Sequence, residues 1–296
     1  MPKVLLIFVD GVGIGQRDPD INPFARFEPR IFAQFAGEEP ASVYASGQMK
    51  ATDARLEVEG VPQSATGQTT ILTGVNAPAL LGRHLSGFPN RLLKQVLARE
   101  SIFKKLAERG GSATFANAYQ PSFFTQKPRR VSVTTAACCS SGVPLRTFED
   151  LARGDAVYHD FTHRTLRTLG YGLPLRTAEE AGANLARIAA RHQFALYEYF
   201  LTDLAGHSQD MLNAVRVLQE LEDFLCAVLD SINPEEQLVL LTSDHGNIED
   251  VSGKGHTLNA VPTLAWGFES SRILKQISTI QHITPAVLSM IGARGE

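Results

Sequence analysis

The chain has 296 residues, of which 44% are hydrophobic and 20% charged, and its formal net charge is −3. This is the profile of a soluble globular protein that can bury a sizeable core, and one large α/β domain with a modest insertion accounts for the length. The near-neutral balance, without a long basic or acidic run, speaks against an electrostatic nucleic-acid binder and against a polybasic membrane patch.

Val4–Val9 is a continuous apolar run between Lys3 and Asp10, the pattern of a strand buried on both faces of a parallel sheet. It is too short for a signal-peptide core or a membrane span, so a cytoplasmic protein is expected. Pro62 breaks the chain, and Ile71 and Leu72 suggest a helix running on from Ser64. Ala113–Ala116 is a further candidate strand. From about Gln120 to Arg176 the rhythm fails: the stretch holds Lys127-Pro128-Arg129-Arg130, a Thr/Ser-rich run and the adjacent Cys138 and Cys139. It reads as a small inserted cap, residues 120–176, between core segments 1–119 and 177–296.

Thr177 followed by Glu180 is a capping box that opens a helix reaching Ile188. Phe194–Leu201 reads as the next strand. Leu212, Val215, Leu218, Leu221, Leu225 and Val228 then recur at helical spacing over Leu212–Leu229. Leu238–Leu241 and Val261–Trp266 are two more buried runs, and a last helix should start at Thr284-Pro285 and stop near Gly292. Strands alternating with helices predict a mainly parallel sheet with helices on both faces. The three cysteines, Cys138, Cys139 and Cys226, cannot build a disulfide framework, and no CxxC pair marks a thiolate metal site.

In open parallel sheets, ligands sit outside the carboxyl ends of the strands. Here Val4–Val9 runs into Asp10, Phe194–Leu201 into Asp203 and Leu238–Leu241 into Asp244. Three carboxylates at one sheet edge repel unless a cation compensates them. Histidines sharpen the point. Asp203 and His207 are one helical turn apart, Asp244 and His245 are adjacent, and Gly246 permits the turn both need to face one ion. His256 lies in a glycine-bearing loop, Ser252 to Thr257; a solvated loop histidine is the bland alternative there, as a capping Asp and a surface His are for Asp203 and His207. Carboxylate and imidazole without thiolate suit Zn²⁺ or Mn²⁺. Two such ions could stabilise the attacking and leaving oxygens of an in-line displacement.

Ser64 is the nucleophile candidate, because a hydroxyl at a helix N-terminus meets free N–H groups and the positive dipole end. The competing reading is a plain helix cap, and Thr66 is a weaker rival nucleophile.

Asp10 after the first strand, Ser64 ahead of Thr73-Gly74, Asp203/His207, Asp244/His245 and His256 together resemble the alkaline phosphatase superfamily. Their order is similar to that of cofactor-independent phosphoglycerate mutase and phosphopentomutase, with Thr242-Ser243-Asp244-His245-Gly246-Asn247-Ile248-Glu249 and Gly255-His256-Thr257 the strongest match. The resemblance covers residues 1–90 and 190–296. It implies Asp203, His207 and His256 on one metal and Asp10, Ser64, Asp244 and His245 on the other, with Ser64 transiently phosphorylated. Lys254, Lys127, Arg129 and Arg130 are the candidate substrate-phosphate contacts. Gly67-Gln68 stands where the mutases carry Gly-His, and the inserted segment is short for a cap that must retain an intermediate. The resemblance speaks against a sulfatase of the same superfamily, since Ala65-Thr66-Gly67-Gln68 lacks the Pro and Arg that follow the nucleophile there.

The expectation is therefore a two-metal phosphoryl-transfer enzyme, a phosphomonoester or phosphodiester hydrolase acting on a small phosphorylated substrate. The alternatives are a compact phosphomutase and a non-catalytic, metal-stabilised binding protein. No sequence pattern marks an oligomer interface.

Overall fold

The apolar run after Lys3 forms β1 (Lys3–Val9), and its side chains divide by parity, as a strand buried on both faces requires. Leu5, Ile7 and Val9 enter one core with Tyr197, Val239 and Leu264, while Val4, Leu6 and Phe8 enter the other with Leu196, Leu240 and Ala265. The computed structural model describes residues 2–39, 42–126 and 130–292. The other strands are β2 (Gln48–Thr52), β3 (Ala113–Phe115), β4 (Phe194–Tyr199), β5 (Gln237–Thr242) and β6 (Val261–Gly267). They form one sheet in the order β2-β6-β5-β1-β4-β3.

The sheet is mainly parallel, as expected, across β5, β1, β4 and β3. The run at Val261, however, enters antiparallel to β5, and β2 pairs antiparallel on its far side. β2 has no apolar signature: of its five residues only Thr52 is buried. An edge strand needs no second apolar face, which explains why pattern alone passes over it.

The capping box at Thr177 and Glu180 opens the helix Ala178–Ala189, and the last helix runs Ile283–Gly292. Two boundaries are corrected. β4 stops at Tyr199, whose carbonyl takes the last ladder bond from Asp10, and Leu201 starts a helix, Leu201–Ser208. Leu212 is 83% exposed, because the buried stripe of the long helix Met211–Ser231 begins only at Ala214. Residues 120–176 hold the short helices Pro121–Gln126, Val133–Ser141, Phe148–Arg153 and Arg164–Thr168. Val133, Ala137 and Cys138 from this stretch join one main core and Val157 and Phe161 the other, while Leu151, Ala156, Tyr158 and Leu166 pack with Ala118 as a small separate cluster. No helix among the described residues is long and apolar enough to cross a membrane.

The sheet order brings β5, β1 and β4 side by side. Asp10 and Asp244 therefore leave adjacent strands at the same edge, and the helix after β4 delivers Asp203 beside them.

Candidate metal centre

Two trios of donors meet at this edge. In the first, His207 Nε2 lies 3.3 Å from Asp203 Oδ2, His256 Nε2 lies 3.5 Å from Asp203 Oδ1, and the two Nε2 atoms are 3.2 Å apart. In the second, His245 Nε2 is 3.3 Å from Asp10 Oδ1 and 3.5 Å from Asp244 Oδ2. The trios adjoin: the His245 and His256 rings stack with centroids 3.7 Å apart, and donor atoms of Asp203, His245 and His256 also lie within 4.8 Å of one another. All six side chains named from the sequence are thus brought together.

Each outer ring is aimed by its second nitrogen. His207 Nδ1 donates to the carbonyl of Lys254 at 2.8 Å, and His256 Nδ1 donates to that of Pro62 at 3.1 Å. A carbonyl can only accept, so Nδ1 carries the proton and both Nε2 lone pairs face inward. Asp10 Oδ1 is buried with no hydrogen-bond partner. An unmatched buried carboxylate oxygen beside inward lone pairs is a set of electron donors without an acceptor, and a cation is the group that fits it.

The electrostatics agree. Burial, then the neighbouring Asp244, Asp203 and Glu198, raises the Asp10 pKa well above the usual carboxylate range; burial, then Asp203, does the same for Asp244. Burial holds His245 well below the ordinary imidazole value, with His256 adding to the effect, and burial also lowers His256. Such groups charge only at a large cost, or with a compensating ion between them.

Ser64 is the first residue of the helix Ser64–Thr73, and the N-cap is Gln63, which makes no side-chain cap bond. The Ser64 hydroxyl instead lies 3.0 Å from His245 Nε2. The plain capping role is therefore absent. Thr66 is fully buried, donates to the Gln63 carbonyl at 3.1 Å and accepts from Leu85 N at 3.2 Å, so its hydroxyl is committed to the backbone.

Three residues complete the site without having been assigned a role from the sequence. The Gln68 amide, one turn along from Ser64, donates to Asp10 Oδ2 at 3.1 Å and to Asp244 Oδ2 at 3.3 Å. Asn247 donates to Asp203 Oδ1 at 2.6 Å. Glu249 accepts from the backbone of Gly13 and Asn247, both at 2.8 Å, and from Asn259 at 3.1 Å, which ties the loop carrying His256 to the end of β1. The available signal for the last two was a run of polar residues straight after a buried strand, since Asn247 and Glu249 are at most 1% exposed.

Two glycines matter for room. A Cβ on Gly67 would lie 2.8 Å from Asp244 Cβ, so the Ser64 helix can press on the site only without a side chain there. At Gly246 a Cβ would lie 2.1 Å from Glu249 Oε1, while its backbone is not left-handed. The chain leaves its strand and bends at Asp244 and His245, and the missing side chain of Gly246 also allows this close approach.

Lys254 is exposed and reaches the site with its carbonyl oxygen. Arg130 is exposed and does not line the cavity beside Ser64. Lys127 and Arg129 lie outside the described residues.

A carboxylate–imidazole cluster at the carboxyl edge of an α/β sheet defines a metalloenzyme. The chain belongs to the Metalloenzyme superfamily, whose family model matches residues 2–294. The resemblance to the alkaline phosphatase superfamily holds at the level of fold: a cold-active alkaline phosphatase from a psychrophilic Shewanella species superposes with a TM-score of 0.53 at 14% identity, covering 97% of this chain and 100% of that one. The PH0037 protein of Pyrococcus horikoshii superposes with a TM-score of 0.59 at 12% identity, covering 100% of this chain and 98% of that one. In sequence, the 2,3-bisphosphoglycerate-independent phosphoglycerate mutase of Desulforudis audaxviator is 28% identical over 120 residues, 38% of this chain and 23% of that protein. The matches to such curated relatives span about a quarter of their length.

Proposed function

We propose that this protein is a metal-dependent phosphoryl-transfer enzyme that hydrolyses phosphate esters through Ser64. The observation that carries the reading is the Ser64 hydroxyl, freed from helix capping and held 3.0 Å from His245 Nε2 within the donor cluster. Asp203, His207 and His256 would hold one divalent ion, and Asp10, Ser64, Asp244 and His245 a second, with Zn²⁺ or Mn²⁺ suited to these donors. Bound cations would offset the three carboxylates, favour the Ser64 alkoxide and stabilise charge on the phosphoryl oxygens.

In the first half-reaction Ser64 Oγ gives up its proton and forms a bond to phosphorus while the ester P–O bond breaks, and the leaving alkoxide takes up a proton, so none is gained or lost overall. In the second, water attacks the phosphoserine, the P–Oγ bond breaks and inorganic phosphate departs. Gln68 holds Asp10 and Asp244 together by bridging them, and Asn247 fixes Asp203. Hydrolysis is favoured over mutase action because no Lys or Arg occurs among the described residues lining the adjoining cavity. A mutase must hold a charged intermediate while the phosphoryl group returns. The absence of any gap in the donor set argues against a non-catalytic binding protein.

The test is phosphate release. Metal-loaded protein should liberate inorganic phosphate from simple monoesters, or an alcohol and a monoester from simple diesters. Isomerisation of a phosphosugar or phosphoglycerate without phosphate release overturns the hydrolase.

A further inference from the structure

Behind Ser64 and Asp203 the site opens into a cavity of about 690 Å³, in the usual range for small-molecule sites (~300–1,000 Å³). Its walls come from the end of β3, from residues 117–126, from Tyr158 and His159, and from β4 and its following turn. Phe88, Phe115, Tyr119, Phe123, Tyr158 and Phe200 present rings to it. Tyr119 and Phe123 lie against each other with centroids 4.5 Å apart, and His159 stacks on Phe200 at 4.3 Å.

The polar atoms in the same walls are largely engaged with one another. Asn117 pairs with the backbone of Glu198 in both directions, donating at 2.7 Å and accepting at 2.9 Å. Gln120 donates to the Tyr158 hydroxyl at 2.7 Å, the Tyr119 hydroxyl bonds that of Thr135 at 2.7 Å, and Thr134 donates to the Glu198 carboxyl at 2.6 Å. Burial pushes His159 down to about 4, so its ring brings no charge to the wall at neutral pH. What remains on offer is mainly the faces of rings, with the Ser122 hydroxyl, the Gln126 amide and the His159 ring beside them.

We infer that this cavity receives the alcohol portion of the substrate, and that the substrate class is the phosphate ester of an uncharged aromatic alcohol. The inference rests on the phosphoryl-transfer reading of Ser64 and adds the specificity. A carboxylate-bearing alcohol would leave water without meeting a Lys or Arg among these described lining residues, and a polyhydroxylated one would give up more hydrogen bonds than Ser122, Gln126 and His159 can return, so its desolvation is unfavourable. An aromatic ring instead loses little by leaving water and gains offset or edge-to-face contacts with the walls.

The decisive comparison uses 2-naphthylmethyl phosphate, glycerol 3-phosphate and 3-phosphoglycerate, all esters of a primary CH2–OH group, on the metal-loaded protein. The naphthylmethyl ester should show a kcat/KM roughly thirtyfold or more above the other two, the scale that burying one ring supplies. An equal or higher kcat/KM for either hydrophilic ester overturns the aromatic specificity while leaving hydrolysis intact. Phe123→Ala should lower the naphthylmethyl-to-glycerol ratio by about fivefold or more. If that variant does not fold, Phe88→Ala, at a residue 48% exposed, reads the same ratio; an unchanged ratio counts against the cavity. Should no ester release phosphate, the hydrolase reading fails alone. The cavity is then judged by calorimetry with 2-naphthylmethylphosphonate against methylphosphonate, where about tenfold tighter binding of the former supports it and equal binding overturns it.

Discussion

His207 and His256 direct their Nε2 atoms at each other across 3.2 Å, while their Nδ1 protons are held by the carbonyls of Lys254 and Pro62. Two lone pairs at that distance repel unless a positive centre joins them, and Asp203 closes the third side. Adding Mn²⁺ or Zn²⁺ to chelator-treated protein should therefore raise its resistance to unfolding. At a free concentration a hundredfold above Kd the gain is about 2.7 kcal/mol. A denaturation midpoint that ignores both ions, with no metal found by elemental analysis, contradicts the assignment.

Ser64→Ala removes the attacking oxygen but keeps the helix, since Gln63 and not Ser64 occupies the N-cap. Turnover should fall by about a thousandfold or more, with most of the bound metal retained. Full activity in this variant would falsify the nucleophile.

Gln68→Leu takes an amide donor away from two buried carboxyl oxygens at once. In chelator the loss should be about 1–3 kcal/mol, the cost of leaving buried acceptors unmet. Urea titration of both proteins measures it, and equal stabilities would show that the bridge contributes nothing.

Glu198→Gln should change how stability depends on pH. Burial raises the folded-state pKa to about 7 from an ordinary 4.5, with the Thr134 hydroxyl partly opposing the shift. The folded state therefore holds this proton more tightly than the unfolded chain. Its contribution is fully present below about pH 4.5 and is lost as pH rises through about 7. From pH 5 to pH 8 the wild type should lose stability relative to Glu198→Gln by on the order of 3 kcal/mol. Parallel denaturant midpoints at each pH in chelator check this, and a constant difference refutes it.

The metal-facing part of the molecule was readable because it is written locally. A strand buried on both faces must be apolar throughout, so the acid that ends it stands out, as Asp10 and Asp244 do. His207 follows Asp203 by one turn, and that spacing survives although Asp203 sits in a helix and not at a strand end. The rest depends on distant packing. Gln68 reaches one carboxylate 58 residues before it and another 176 residues after it in the chain, and no local pattern encodes that. β2 and the antiparallel setting of β6 escaped because a polar edge strand has no periodic signature and strand direction is set by topology. The aromatic cavity wall was hidden for a related reason. Phe115, Tyr158 and Phe200 look like ordinary core residues until folding gathers them beside Ser64.

The two donor trios differ in their distance from water. The side chains of Asp244 and His245 are wholly buried and that of Asp10 is 10% exposed, whereas those of Asp203 and His207 are 16% and 41% exposed. That asymmetry has a kinetic meaning. The first set opens to water at His207, where ligands can be traded one at a time, whereas Asp244 and His245 close the second set and leave only its Asp10 and Ser64 side facing the cavity. Loss of metal to a chelator should proceed in a fast and a slow phase, and a single phase would mean that the two sets release together. The inner ion would then behave as part of the fold, and activity would follow the supply of the labile outer one.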